Sequence, residues 1–391
     1  MKAVFYVTIA SPLSVGWYDP MLLDENFYIR PTSLKGLWRW WARAFAAGAL
    51  YEAGCVGGDF FKKVHELVSR DLGLGSTEQA SSYTITVEVM QRPMVEDAQR
   101  ANLQRFKLLS LGKRGADRPR IRYATGGSFR ISVEGDHPAF STAVSILAVA
   151  LTLSGLGKGG RKGLGSLDVV KTDGHAPRGS LPEVINKVKS SLAVRRCGEP
   201  PRLPPISAVA KGVFEVYKVN VNYQTLHNLF LRSERAKLSG SNPESPDPLG
   251  GYAWFLGLPR SGKDRDTGVT TGYLISSEKE EGGGRGSAIV RRASPVFAAW
   301  HSNKHVYGGG GYVSVFLSAD WPRQIQWVRL PKSQQKADAQ GTTHRVDEHA
   351  TGRHDAPKPT PQMIIINEDK LQEAKAKFLK LLEKFSPTRI W

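Results

Sequence analysis

PTSLKGLWRWWARAF, residues 31–45, carries two patterns in one stretch. Leu34, Leu37, Trp38, Trp41, Ala42 and Phe45 recur at three-and-four spacing, which predicts a helix with one broad apolar face that must be buried. Thr32 or Ser33 is the expected N-cap. On the opposite side Lys35, Arg39 and Arg43 stand four apart as a basic stripe. The first of them is expected in the opening turn, where the helix dipole disfavours cations, so a lysine there implies an anion nearby. Trp40 falls on the flank between the two faces, open to stacking or to docking on a partner. An amphipathic core helix with a solvated basic back is the plainer reading, and spacing alone favours it.

Working outward, Ala3–Ala10 alternates as a strand, and a loop with Pro12, Gly16, Asp19, Pro20, Asp24, Glu25 and Arg30 leads into the helix. Asp59–Leu72 is a second helical piece. Tyr83, Ile85, Val87 and Val89 alternate with polar residues as the next strand. Residues 92–122 follow without periodicity and hold nine basic residues against three acidic ones. Phe129, Ile131 and Val133 mark a strand, Phe140, Ala143, Val144, Leu147 and Leu151 a helix, and Leu167–Val170 another strand. Strand, helix, strand, strand, helix, strand is the split β-α-β order of a ferredoxin-like domain, shared with the RNA recognition motif. We place this domain at residues 1–175.

Between its second helix and last strand runs GLGKGGRKGLGS, residues 155–166. A dinucleotide fingerprint needs the opposite order, strand before helix, and a Walker A loop needs a closing Gly-Lys-Ser/Thr. Six glycines with Lys158, Arg161 and Lys162 suit a cradle for a sugar-phosphate backbone better than a plain linker.

Prolines 177, 182, 200, 201, 204 and 205 then mark a boundary region around a helix built on Val184, Ile185, Val188 and Leu192. The second domain, 176–391, is a second block of strand, helix and strands with long insertions. Its strands are expected at Phe214–Val221, Ser287–Ala293, Tyr312–Leu317 and around Ile325, Trp327 and Arg329, with a helix at Thr225–Leu238. Residues 239–268 form a Gly/Pro/Ser-rich insertion, 332–361 lack apolar content and are expected to be mobile, and Glu368–Phe385 closes the chain as a helix. The fold class is therefore α+β, opening with a ferredoxin-like domain.

Composition limits the function. The 391 residues are 40% hydrophobic and 23% charged, with 54 Lys and Arg against 36 Asp and Glu, a net charge of +18. That surplus favours a polyanionic partner, nucleic acid ahead of a membrane, since no basic amphipathic terminal helix or spanning run is present. Cys55 and Cys197 lie far apart with no CxxC, supporting neither a zinc ribbon nor a disulfide framework and pointing to a reducing cytoplasm.

The assembled pieces resemble the RAMP superfamily, the repeat-associated proteins of CRISPR effector complexes. SLKGLWRWWARA, with Arg30, Pro31 and Thr32 upstream, is similar to an R-x-x-S-x-K-G-x-x-R-x-W-x-R stretch of the large RAMP subunit of Cmr-type (type III-B) complexes. GLGKGGRKGLGS resembles the superfamily's glycine-rich loop, and RRASPVF, Arg291–Phe297, is similar to a segment in that subunit's second half. The resemblance implies two ferredoxin-like domains, the second with long insertions, and a non-catalytic RNA-binding subunit of an RNA-guided interference complex, helping to capture target RNA near the 3′ region of the guide. Its implied partners are guide RNA, single-stranded target RNA and other RAMP subunits, with no cofactor and no membrane. The RNA-binding candidates are Arg30, Lys35, Arg39, Trp40, Arg43, Lys158, Arg161, Lys162, Arg291 and Arg292.

Catalysis is the alternative. Repeated backbone subunits of type III complexes carry a cleaving aspartate in the loop before the opening helix, which makes Asp24 the candidate for a metal-independent endoribonuclease. Loop aspartates more often cap or solvate. His301 and His305 are four apart without a zincin glutamate, and His344, His349 and His354 lie in a polar tract, so no metal site is expected.

Overall fold

The computed structural model describes residues 1–16, 23–97, 103, 121–231, 251–258, 260–263, 270–275, 291–330 and 362–391. The chain opens with β1 (Lys2–Leu13), α1 (Pro31–Glu52) and α2 (Phe60–Glu66), the last widening into a π-type turn over Leu67–Asp71. Strands β2 (Tyr83–Gln91), β3 (Met94–Asp97) and β4 (Arg122–Gly135) precede α3 (Phe140–Leu153), β5 (Leu167–Gly174) and α4 (Leu181–Ser191). The first sheet runs β2-β4-β1-β5, with β3 also on β4, and every pair is antiparallel. That arrangement is the strand order of the split β-α-β.

Four later strands, β6 (Phe214–Val219), β9 (Val296–His301), β10 (Gly310–Phe316) and β13 (Thr388–Arg389), make a second antiparallel sheet in the order β13-β6-β10-β9. Numbered within the set, this is again fourth, first, third, second. Helix α5 (Tyr223–Leu231) follows its first strand, and α6 (Glu368–Leu382) precedes its last. Between β6 and β9 come β7 (Arg260–Lys263) and β8 (Thr270–Ile275). Between β10 and α6 come β11 (Gln324–Leu330) and β12 (Gln362–Ile365), and these four inserted strands form a third sheet, β12-β11-β8-β7.

The packing divides into two compact units. Met1–Arg232, Val296–Ala319 and Leu382–Trp391 form one, holding the first two sheets, while Ser233–Pro295 and Asp320–Leu381 form the other. In the second unit Trp254, Phe255 and Trp321 pack together, and Phe378 of α6 lies 6.4 Å from Phe255.

In the first unit α1 buries its expected face: Leu34, Trp38, Trp41 and Ala42 are fully enclosed. Each buried indole N–H needs an acceptor. Trp38 donates to the Ala143 carbonyl of α3 at 2.6 Å, and Trp41 to Ser154 Oγ at 2.9 Å. Helix α3 is apolar almost all round and is buried all round, because it packs against α1, α4, β5, β9 and β10.

Several local expectations need correction. The α1 N-cap is Arg30, in an extended conformation, with Pro31 at the first helical position and no side-chain cap from Thr32 or Ser33. A proline there needs no amide partner, and its fixed φ suits the first turn. Of the strand expected at Ser287–Ala293, residues 287–290 lie outside the described residues and Arg292 makes only an isolated bridge; the strand is Val296–His301. The basic tract is described only at its ends and at Leu103, and the 332–361 segment lies outside the described residues.

The cysteines are the larger correction. Cys55, just after α1, and Cys197, after α4, form a disulfide across 142 residues, with Cα atoms 5.0 Å apart. The Cys197 amide also donates to the Ala53 carbonyl at 2.7 Å. Disulfides persist in oxidising compartments and in intracellular proteins of hyperthermophiles, so the cysteine pattern no longer argues for a reducing compartment. Among the described residues no helix is long and apolar enough to cross a membrane. Reduction of the disulfide is expected to lower the unfolding free energy by about 2–5 kcal/mol, by releasing a long loop in the unfolded chain. Denaturant midpoints with and without reductant, with Cys55→Ala as control, measure this; equal midpoints would show that the bond does not form in solution.

Candidate nucleic-acid interface

Lys35, Arg39 and Arg43 line one side of α1, the first two half-buried and the third exposed. With the helix beginning at Pro31, Lys35 sits in the second turn, so the helix dipole no longer explains an anion there. What calls for an anion is the missing counter-charge. Among the described residues none of the three has a carboxylate partner, and Arg39 Nε is buried with no hydrogen-bond partner. Burial, then Arg39, pulls Lys35 below the ordinary lysine range; burial, then Arg43, does the same to Arg39. A row of cations that repel each other in a partly desolvated setting favours a bound anion.

Trp40 is not a free flank. Its ring lies 4.7 Å from Phe297 on β9 and 5.6 Å from Phe316 on β10, so it docks on the second sheet of its own chain. Over Trp40 and Phe297 sits the Arg161 guanidinium, 5.2 Å from the Trp40 centroid and 4.7 Å from that of Phe297. The glycine-rich loop therefore reaches the helix that carries the stripe.

That loop is folded on itself. Gly155 N–H donates to Gly160 O at 2.7 Å, Leu156 N–H to Gly165 O at 2.9 Å, and Gly165 N–H to Pro12 O at 3.0 Å. A Cβ on Gly165, at φ +68°, would fall 2.0 Å from Leu156 O, and one on Gly157, at φ +70°, would fall 2.3 Å from Ser14 O. Close approach of this chain's own backbone thus accounts for these glycines. The loop then docks on β9: Ala298 N–H donates to Arg161 O and Gly163 N–H to Ala298 O, at 3.0 and 2.9 Å. His227 on α5 contacts Lys162 O at 2.8 Å, and Lys158 Nζ lies 3.4 Å from Ser14 Oγ.

The remaining candidates are dispersed. Arg30 pairs with Asp24, whose carboxylate is 1% exposed and accepts the Asn26 and Phe27 amides at 3.2 Å each. Asp24 thereby anchors the turn into α1. Arg291 and Arg292 belong to the second unit. Arg291 is exposed, whereas Arg292 donates to Asp320 at 2.7 Å and stacks 4.8 Å from the Trp321 ring, an internal anchor.

One buried cluster offers metal-type ligands: Asp168 on β5, His301 on β9 and His305. The two imidazoles are stacked, 3.9 Å between centroids and 17° between planes. A metal lies near the plane of each ligating ring at about 2 Å, which two nearly parallel rings at this spacing do not offer to one ion. The polar atoms are also spoken for. His301 faces Asp168 Oδ1 at 3.0 Å and the Thr152 carbonyl at 2.8 Å. Burial, with His301 beside it, holds His305 neutral, far below the usual histidine range; it accepts the Val169 amide at 2.9 Å and turns its other nitrogen to Thr152 Oγ1 at 3.1 Å. Asp168 also takes the Ser302 hydroxyl. The cluster ties β5 and α3 to the β9–β10 hairpin. Sequence spacing missed it, because Asp168 and Thr152 lie more than 130 residues from His301.

Residues 7–168 match the RAMP superfamily. The chain is also similar to a subunit of Cmr systems. Over 162 residues it is 30% identical to CRISPR system Cmr subunit Cmr1-1 of Pyrococcus furiosus, an alignment that spans 39% of this chain and only 43% of that protein. The crystal structure of apo Cmr1 from Pyrococcus furiosus shares the fold over 100% of this chain and 99% of that one, with a TM-score of 0.53 at 16% identity. A chain in the cryo-EM structure of the type III-B Cmr-beta bound to cognate target RNA and AMPPnP aligns at a TM-score of 0.49 and 12% identity, over 98% of this chain and 99% of that one.

Proposed function

We propose that this protein is a non-catalytic RNA-binding subunit of a type III-B CRISPR RNA-guided interference complex, built from two ferredoxin-like domains that meet near residue 175. It contacts single-stranded RNA through the α1 stripe and helps to capture target RNA near the 3′ region of the guide, alongside other RAMP subunits. The observation that carries this reading is the juxtaposition of an unneutralised cation row with Arg161, seated on Trp40 at the row's flank. Cations at this spacing neutralise phosphates without reading sequence. The similarity to Cmr1-1, whose name places it in a CRISPR Cmr system, supports the assembly part.

Binding of labelled single-stranded RNA to the purified protein, followed by anisotropy from about 50 to 200 mM salt, tests the reading. Affinity is expected to fall steeply with salt and to show little base preference; no binding at low salt would defeat the proposal. The endoribonuclease alternative is tested in parallel. Labelled RNA is expected to stay intact, and cutting that Asp24→Asn abolishes without loss of binding would favour the alternative. Because Asp24 holds two amides and Arg30, Asp24→Asn is also expected to cost about 1–3 kcal/mol of stability, measured by denaturation.

A further inference from the structure

The turn into α1 holds an aromatic ring outside the core. Phe27 is 52% exposed. Next to it Tyr28, at φ +50°, adopts a left-handed conformation that is costly for a residue with a bulky side chain. Ile29 N–H turns back to the Phe27 carbonyl and closes a three-residue turn. Tyr28 is buried at 5% exposure, its ring edge-on to Phe129 at 6.3 Å. The buried Asp24 carboxylate fixes the Asn26 and Phe27 amides from the other side. The turn thus sends Tyr28 into the core and Phe27 out of it.

A lone exposed ring is ordinary on a protein surface. This one stands four residues before Pro31, so its Cα lies within about 14 Å of the start of α1. The same helix carries three cations that lack carboxylate partners among the described residues, together with a buried, unpartnered Arg39 Nε. Cations hold phosphates, but the faces of unpaired bases need a π-surface, and protein aromatics supply it to single strands of any sequence.

We infer that Phe27 is a base-stacking contact for the single-stranded RNA whose backbone the α1 cations bind; this rests on the RNA-binding reading above. Stacking on Phe27 selects single strands over duplexes, whose bases are already stacked inward.

The test titrates labelled oligouridine, and an abasic ribose-phosphate oligomer of equal length, against the parent protein, Phe27→Ala, Phe27→Trp and a Lys35→Ala/Arg39→Ala variant. Phe27→Ala is expected to weaken oligouridine binding roughly five- to 150-fold, with abasic binding and the salt slope unchanged, while Phe27→Trp keeps parental affinity. The cation variant is expected to weaken both oligomers. If Phe27→Ala binds both oligomers as the parent does, or loses both equally, while the cation variant loses both, the stacking role is overturned and the RNA-binding reading stands. If the cation variant keeps full affinity, or the parent binds neither oligomer, that reading fails and takes this inference with it. Far-UV circular dichroism confirms that the exposed substitution leaves the fold intact.

Discussion

Trp41→Ala is expected to lower the unfolding free energy by about 3–5 kcal/mol, the range for removing a fully buried large aromatic side chain. Trp41 is completely enclosed, and its ring contacts Phe214, Phe297 and Phe316 of the second sheet at 6.1, 6.0 and 5.8 Å. Its removal opens a cavity at the centre of that aromatic group and strips Ser154 Oγ of its donor. Urea denaturation followed by circular dichroism measures the loss. Trp41→Phe separates the parts, because it retains most of the packing and loses the hydrogen bond. A cost under about 1 kcal/mol for the alanine variant would mean that α1 does not pack on the second sheet as described, since core truncations of this size do not come so cheaply.

The triple variant Lys35→Ala/Arg39→Ala/Arg43→Ala is expected to weaken single-stranded RNA binding on the order of 100-fold at low salt. Its salt slope should also fall by about two units, since each single-strand phosphate contact contributes about 0.7. Stability is expected to hold or rise. The three cations have no carboxylate partners among the described residues, and burial and their neighbours pull Lys35 and Arg39 below their usual ranges. Loss of RNA affinity with retained stability is the signature of a binding row; a drop in both, or unchanged affinity, would assign the stripe to internal packing. Trp40→Ala tells the two kinds of residue apart. Its ring is wedged against Phe297 and Phe316, so it is expected to weaken the fold as well as displace Arg161.

Much of the first sheet and its helices was legible residue by residue. The three-and-four spacing of Leu34, Trp38, Trp41 and Phe45 marked the face that α1 buries, and the alternation in β1, β2 and β4 placed the strands whose antiparallel order the structure realises. These are local signals, set by 3.6 residues per helical turn and two per strand repeat. Other features gave no such signal. Five apolar positions mark helix α3, but not that it is enclosed on every side, a burial that depends on how many neighbours surround it. The glycine run showed that backbones come close, but not that the approaching backbone belongs to this chain itself.

Sequence by itself determined the tryptophan helix, its inward face, the spacing of its three cations and the order of the elements around the first sheet, because each depends on residues within a few positions of one another. Tertiary structure alone decided that Cys55 meets Cys197, that Asp168 meets His301, that Trp40 is covered by Phe297 and Phe316, and that β6 and β9 share a sheet across an inserted one. Each of these joins groups tens to hundreds of residues apart. Such pairings are set by which apolar faces pack together when the chain collapses, and that choice leaves no periodic mark in the chain.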